Sequence, residues 1–422
     1  MSLLGNFFKR NKAGSNHYLA LDIGTQFVKA LVFEVDQELQ KGIVLGVGRA
    51  YQKIGNMTSG AVSNIEGVIA TCEDAISEAE EMAGVHYVKK TVMGIAGELV
   101  KGTTTTVHYE RARPEIRIDV PELKNIIQKV QWKALGRIRQ QLAWETGHKA
   151  VDVRLINAAI VNVKIDGYRV STPVSFQGRD VSISIFNAYA PLIHLGAMEK
   201  IADELGLELV EIVAEPFAVA KSMGIDQNSQ FGAIFIDIGG GTTDIALVRN
   251  GVLEGTVMFG LGGTAFTKRI SSAFGLSFEE AEQVKINYSL GTLNPRISQK
   301  IEQFFEKDCQ IWASGLEIAL ESFSASDLFP SRILLCGGGS ALPGISRVLK
   351  ERHWPSHLPI PEQINISFIQ PRDVVRIADK TRQLRNPQDV TPMALASVIV
   401  DRSEQDPIIS DTLKKAVKIL QS

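Results

Sequence analysis

The sequence predicts an α/β protein of two lobes that close on one phosphate-bearing ligand. Three observations predict it. Two glycine-bearing turns of one design lie far apart in the chain. Strand-like alternation repeatedly gives way to helical spacing, and 422 residues exceed what a single core usually supports. The first turn reads Leu21-Asp22-Ile23-Gly24-Thr25, and the second reads Ile236-Asp237-Ile238-Gly239-Gly240-Gly241-Thr242-Thr243-Asp244.

Each turn sits between two strands. Leu19 and Leu21 lead into the first, and Val28, Ala30 and Val32 alternate out of it; Ile234 and Ile236 lead into the second, and Ile245 and Leu247 follow. A helix follows from Val68 to Ala83, with Ile69, Cys72, Ala75, Ile76, Ala79 and Met82 at helical spacing. From Lys101 to Gln177 the texture changes. A threonine-rich strand at Thr103 to Val107 precedes a helix starting near Pro121, then strands at Ile156 to Lys164 and Tyr168 to Val174 around an Asp166-Gly167 turn. This segment reads as an inserted domain. The first lobe is expected to resume with a strand at Val181 to Ala190, a helix at Ala197 to Leu205 and a strand at Leu209 to Val213. Glu215-Pro216 then opens a helix whose Ala218 and Ala220 permit tight crossing. The second lobe opens at Phe231. It continues through helices at Thr267 to Ala273 and Phe278 to Tyr288 to a buried strand ending in Cys336-Gly337-Gly338-Gly339-Ser340. A helix from Thr391 to Val400, with Pro392 in its first turn, closes the fold.

The turns carry the chemistry. Glycines without Cβ let backbone N–H groups approach phosphate oxygens, and threonine hydroxyls add donors. Aspartates repel phosphate, so their role is to hold hydrated Mg²⁺, which keeps several waters and takes one or two carboxylates. Competing motifs are absent. There is no GxxxxGK[ST] loop and no Ser/His/Asp arrangement, and Gly46-Val47-Gly48 lacks the third glycine of a dinucleotide fingerprint. His353 and His357 have helical spacing, but Pro355 lies between them and no HExxH glutamate is present, so they read as surface histidines. Lys plus Arg (45) nearly cancels Asp plus Glu (47), which gives no electrostatic reason to expect nucleic acid. Cys72, Cys309 and Cys336 form no CxxC pair and read as core residues of a protein in a reducing cytosol. No apolar run approaches the roughly 20 residues that span a bilayer, so an integral or exported protein is not expected.

Asp22-Ile-Gly-Thr25, Asp237-Ile-Gly-Gly-Gly-Thr-Thr-Asp244 and Leu335-Cys-Gly-Gly-Gly-Ser340 resemble the two phosphate motifs and the adenosine motif of the actin, heat-shock chaperone and sugar-kinase superfamily. Within it the chain most resembles the bacterial cell-division protein FtsA family. The supporting residues are Ser59-Gly60-Ala61-Val62, Ala79-Glu80-Glu81-Met82-Ala83-Gly84, Gly94-Ile95-Ala96-Gly97-Glu98, Gly178-Arg179-Asp180, Gly262-Gly263 and Ala281-Glu282 with Lys285. The resemblance implies an actin-like two-lobed ATPase with duplicated ribonuclease-H-like lobes and an FtsA-type inserted 1C subdomain. It divides the chain into a basic and apolar tail at 1–14, a first lobe at 15–99, 181–215 and 385–402, the insertion at 100–180, a second lobe at 216–384, and a linker with an amphipathic helix at 403–422.

Carried over by position, Asp22 and Asp237 would organise Mg²⁺. Gly24, Thr25, Gln26 and the run Gly239, Gly240, Gly241, Thr242 and Thr243 would hold the β- and γ-phosphates. Glu282 and Lys285 would reach ribose and adenine, and Gly337, Gly338, Gly339 and Ser340 would line the base. Without the resemblance, Glu282 and Lys285 read equally as a solvent-exposed helix pair. Lys29 would reach a phosphate or stay solvated, and Gln26 stands where the family has threonine or serine. Glu215 and Asp244 are the candidate catalytic groups, with slow ATP turnover expected. The resemblance further implies self-assembly into filaments, capture of the C-terminal tail of the tubulin-like FtsZ, contact with other divisome proteins, and a cytoplasmic, peripheral position on the inner face of the membrane. Ile409, Leu413, Ala416, Val417 and Leu420 beside Lys414, Lys415 and Lys418, and Leu3, Leu4, Phe7 and Phe8 beside Lys9, Arg10 and Lys12, are segments suited to an anionic bilayer or to docking on protein. The alternative is a PilM-like component of type IV pilus assembly. A sugar or acetate kinase would need an acceptor pocket that the sequence does not offer.

Overall fold

The computed structural model describes residues 16–36, 38–97, 100–147, 152–225, 231–323, 327–351 and 358–402. The expected tail segments and the His353/His357 pair lie outside them.

Three strands form the first meander: β1 (His17–Ile23), β2 (Phe27–Asp36) and β3 (Lys41–Tyr51), paired antiparallel. A two-strand hairpin follows, β4 (Met57–Thr58) with β5 (Ala61–Val62). β6 (Lys90–Ile95) lies parallel beside β1. The insertion supplies β7 (Lys101–Glu110), β8 (Val153–Ile165), β9 (Tyr168–Arg169) and β10 (Asp180–Pro191), and β11 (Glu208–Ala214) lies parallel beside β6. The second meander is β12 (Ala233–Ile238), β13 (Thr243–Arg249) and β14 (Val252–Phe259). β15 (Arg332–Cys336) lies parallel beside β12, β16 (Asn365–Phe368) beside β15, and β17 (Ile377–Asp379) beside β3.

The two sheets repeat one plan. The first runs β11-β6-β1-β2-β3, with β17 at its edge, and the second contains β16-β15-β12-β13-β14 in the corresponding order. In each, a meander starts beside two parallel strands, and the glycine turn joins the meander's first two strands. The second sheet continues through β7, β10, β8 and β9. The seam between β14 and β7 is short, Gly255 opposite Thr103 and Thr256 opposite Gly102. It depends on glycine: a Cβ on Gly102 would stand 2.1 Å from Thr256 Oγ1, and one on Gly255 2.9 Å from the Gly102 carbonyl.

Val181 to Ala190, expected to return to the first lobe, instead lies in β10, which pairs along its length with β7 and β8. β9 is shorter than the alternation suggested: the Val170 amide still donates to Val163 O at 3.1 Å, and the chain then leaves the ladder. The insertion buries its own core, in which Leu123, Ile126, Ile127 and Val130 of α2 (Val120–Thr146) pack on Val163, Val181 and Ile183.

α1 (Ile65–Ala83) starts at the Asn64 cap and stops at Gly84, whose φ of 67° suits the left-handed end of a helix. It lies so close to β3 that a Cβ on Gly46 or Gly48 would fall 1.9 Å from the carbonyl of Ala79 or Ala75. That contact, rather than a dinucleotide, explains Gly46-Val47-Gly48. α3 (Leu192–Glu204) precedes β11. Between the lobes, α4 (Glu215–Ser222) and α9 (Val390–Arg402) pack on each other; α4 contacts β12 and β13, and α9 contacts β1, β2 and β6. The outer side of the second lobe carries α5 (Gly263–Phe274), α6 (Phe278–Ser289), α7 (Pro295–Glu321) and α8 (Pro343–Lys350). The sequence analysis did not identify α7. Its signal was an Asn294 cap, Pro295 in the first turn, and Ile301, Phe305, Trp312 and Leu316 on one buried face. Among the described residues no helix is long and apolar enough to cross a membrane.

Candidate nucleotide site between the lobes

The two turns meet. A Cβ on Gly241 would stand 2.4 Å from Thr25 Oγ1, and one on Gly240 3.0 Å from Gln26 Cβ, so glycine lets the second turn close against the first. The Gly60 amide, at the tip of the β4–β5 hairpin, donates to Thr25 Oγ1 at 3.3 Å. Backbone bonds brace the second turn: Gly263 and Thr264 amides donate to the carbonyls of Gly239 and Gly240 at 2.9 and 2.8 Å.

Buried carboxylates stand behind the turns. Asp22 ends β1 opposite Lys29 of β2, and the Lys29 ammonium donates to Asp22 Oδ2 at 3.0 Å. Burial pulls the Lys29 pKa down, but Asp22, helped by Asp237 and Asp389, outweighs it and raises it overall. Lys29 is therefore neither freely solvated nor unpaired. Asp237 ends β12 opposite Asp244 of β13 and accepts a hydrogen bond from the Thr391 hydroxyl of α9. Burial raises the Asp237 pKa against the opposing pull of Thr391 and Lys29. Asp244 is pushed well above the usual carboxylate range by burial and then by Asp237, and its Oδ1 has no partner. Glu215, at the start of α4, is raised by burial and by Asp22, Asp244 and Asp237.

This donor set fits a hydrated divalent cation beside a polyphosphate. Buried carboxylates crowd the Lys29 ammonium, one buried carboxylate oxygen of Asp244 is unpartnered, and the Gly24 and Gly239 amides close their own turns onto Phe27 O and Thr242 O at 3.0 and 2.9 Å. Among the described residues no group of three His, Cys, Asp or Glu side chains could together hold a metal ion.

Glu282 and Lys285 are not a solvent-exposed pair, each being only 7% exposed. They pair at 2.7 Å on α6; the Lys285 ammonium donates to Gly263 O at 3.1 Å and to Thr267 Oγ1 at 2.9 Å, and the Thr267 hydroxyl donates to Glu282. Burial lowers the Lys285 pKa against the pull of Glu282. The pair adjoins the second turn: a Cβ on Gly263 would stand 3.4 Å from Lys285 Nζ and 3.8 Å from Gly339 Cα. Gly337, at φ 80°, turns back over Asp237, and a Cβ there would fall 2.1 Å from Asp237 Oδ1. Gly338 and Gly339 continue that turn.

Two expected contributors point elsewhere. The Thr243 hydroxyl donates to Leu261 O at 2.7 Å and accepts the Trp312 indole N–H at 2.9 Å, so it is committed to the core of its own lobe. The Ser340 hydroxyl donates to Gly337 O at 2.6 Å and is buried within its own turn. Sequence reasoning missed Thr391, Cys336 and Asp389. Cys336 hydrogen-bonds Asp237, and Asp389 is paired with Arg49 at 2.9 Å; only the fold brings these residues to the site.

Among solved structures, a chain of the PilM-PilN type IV pilus biogenesis complex superposes with a TM-score of 0.63 at 19% identity, covering 91% of this chain and 98% of that one. Duplicated lobes converging on two such turns define an actin-like two-lobed ATPase fold. A family model described as cell division protein FtsA matches residues 234–398. Cell division protein FtsA of Pseudomonas aeruginosa is 26% identical over 367 residues, 82% of this chain and 83% of the relative. That of Streptococcus pneumoniae is 25% identical over 432 residues, 97% and 90% of the two chains. Over most of its length the chain is thus similar to cell division protein FtsA.

Proposed function

We propose that this chain binds ATP with Mg²⁺ between its lobes, assembles into filaments, and tethers FtsZ to the inner face of the cell membrane during division. The observation that carries the nucleotide reading is the convergence of the two glycine turns on a cluster of buried carboxylates. Asp22 and Asp237 would hold hydrated Mg²⁺, which when bound neutralises charge on the phosphates. The amides of Gly240 and Gly241 and the hydroxyls of Thr25 and Thr242 would donate to phosphate oxygens, whereas the Gly24 and Gly239 amides close their own turns onto Phe27 O and Thr242 O at 3.0 and 2.9 Å. Lys29 stays with Asp22. Glu282 and Lys285 face the ribose and base, with the Gly337 turn as the opposite wall. Glu215 and Asp244, buried beside the other carboxylates of the cleft, are the candidate groups for positioning the attacking water, and slow turnover is expected. The division of the chain proposed from the resemblance leaves the segments at 1–14 and 403–422 as the membrane-facing parts.

Calorimetric titration with MgATP tests the site: micromolar binding is expected, and no binding would refute it. Sedimentation with ATP and anionic vesicles tests assembly and attachment, comparing the full chain with versions lacking 1–13 or 408–422. A peptide of the FtsZ C-terminal tail should bind. If it fails while an N-terminal peptide of a pilus inner-membrane protein binds, the division role is wrong and the PilM-like reading replaces it.

A further inference from the structure

α7 has two apolar faces. One is buried in the second lobe; the other is a row of Ile297, Phe304, Ile311 and Ile318, which are 41%, 38%, 60% and 68% exposed. The spacing is seven residues throughout. A surface helix with one buried face follows the 3.6-residue turn, whereas a strict seven-residue repeat stays aligned with a second helix crossing at a shallow left-handed angle. Charge is uneven along the row. Arg296, Lys300 and Lys307 lie toward the N-terminal half, and Glu317 and Glu321 lie at the C-terminal end.

We infer that this row is the contact of a two-fold dimer in which α7 packs antiparallel against α7 of a second copy. About a two-fold between residues 307 and 308, Ile297 lies level with the second copy's Ile318 and Phe304 with its Ile311, so all four apolar residues are used twice. The same operation sets Arg296 beside the opposite Glu321 and Lys300 beside the opposite Glu317. A parallel pairing would bring the two basic ends together and the two acidic ends together, and the charges therefore select the antiparallel arrangement. Its like-charge meeting is Lys307 with its mate, because the neighbouring Asp308 is engaged by Arg269 at 2.7 Å. The surface is also shaped for a bulky side chain. A groove of about 330 Å³ between α5 and α7, with Leu261, Ala265, Phe266 and Ile311 on one part of its wall and Lys268, Arg269, Ser272 and Asp308 on the rest, adjoins Ile311, the position level with the second copy's Phe304. This contact is separate from the nucleotide cleft and requires no nucleotide.

Sedimentation velocity of the full chain without nucleotide tests it. A concentration-dependent dimer is expected, and Ile311→Glu should raise its dissociation constant at least about tenfold. Arg296→Glu should weaken the dimer, and adding Glu321→Arg should restore it, a rescue that general loss of folding would not give. Under oxidation, Ile297→Cys mixed with Ile318→Cys should crosslink, while Ile297→Cys alone should not. A chain that stays monomeric, a dimer indifferent to Ile311→Glu, or self-crosslinking of Ile297→Cys would each overturn the proposal. Vesicle binding lost on Ile311→Glu in a chain that never dimerises would assign the row to lipid and overturn it too. Loss of MgATP binding with the dimer intact would count against the nucleotide reading alone.

Discussion

The first and second turns share a plan but are held in opposite ways. Asp22 is neutralised from within its own hairpin by Lys29, the residue opposite it across the ladder. Asp237 has Asp244 opposite it and is tethered by Thr391 and Cys336, which arrive from the far end of the chain. The first carboxylate is paired within its own hairpin, whereas the second is crowded by another buried carboxylate. One backbone turn is thus used twice in different electrostatic surroundings.

The largest effect should expose that asymmetry. Asp237→Ala removes the carboxylate that Thr391 and Cys336 hold in place and leaves Asp244 opposite it without that tether, and MgATP affinity should fall at least about 100-fold, or ~2.7 kcal/mol. Asp22→Ala releases Lys29, which can then turn toward the phosphates and offset part of the loss; about tenfold is expected. Equal losses in parallel titrations would break the comparison.

The next effect is pH dependence without ligand. The pKa values of Glu215, Asp237 and Asp244 are raised in the folded protein by burial and by one another. A carboxyl whose folded pKa exceeds its unfolded value binds more protons when folded, so its stabilisation is complete below the unfolded pKa and is lost as pH rises through the folded one. The melting temperature of the ligand-free chain should therefore decline as pH rises from the unfolded carboxylate range. Asp244→Asn, which removes a charge but keeps the shape, should flatten the decline. An unchanged slope would show that these acids are not crowded.

A smaller, geometric effect concerns the contact between turns. Gly241→Ala places a methyl 2.4 Å from where Thr25 Oγ1 now lies, so Thr25 must shift away from the cleft. Affinity should fall about tenfold, with stability little changed, since the strain is relieved by the lobes opening. Substitution at Gly46 or Gly48 should instead unfold the first lobe, because the obstacle there is the α1 backbone.

What was legible in the sequence follows from which information is local. The turns, the strand on either side of each and the buried strand before Gly337 are short-range patterns, and each lies where alternation and glycine placed it. The orientation of a side chain at a turn is not local. Thr242 and Thr243 are neighbours with the same chemistry, yet strand alternation sends the Thr243 hydroxyl into the lobe, where Leu261 and Trp312 engage it. The sheet membership of β10 was equally hidden, since its alternation is compatible with either lobe and the partner strand alone decides. Glu282 and Lys285 carry the spacing of an exposed pair; Thr267 and Gly263, on another helix, bury them.

Trp312→Phe gives the smallest expected effect and tests the second lobe's support against the first's. In the first lobe, Thr25 receives the Gly60 amide from the hairpin tip, so its support is a backbone group that no side-chain substitution removes. In the second, Thr243 depends on an indole N–H from α7, in the middle of the core. Phenylalanine keeps most of the buried area and deletes the donor, while the Thr243 hydroxyl keeps its bond to Leu261. The cost should be about 1 kcal/mol, seen as a lower melting temperature. MgATP affinity should hardly move, because that hydroxyl points away from the cleft. A large loss of affinity with stability intact would mean that Thr243 turns toward the phosphates when nucleotide binds, and the division between a supporting and a ligating threonine would then have to be redrawn.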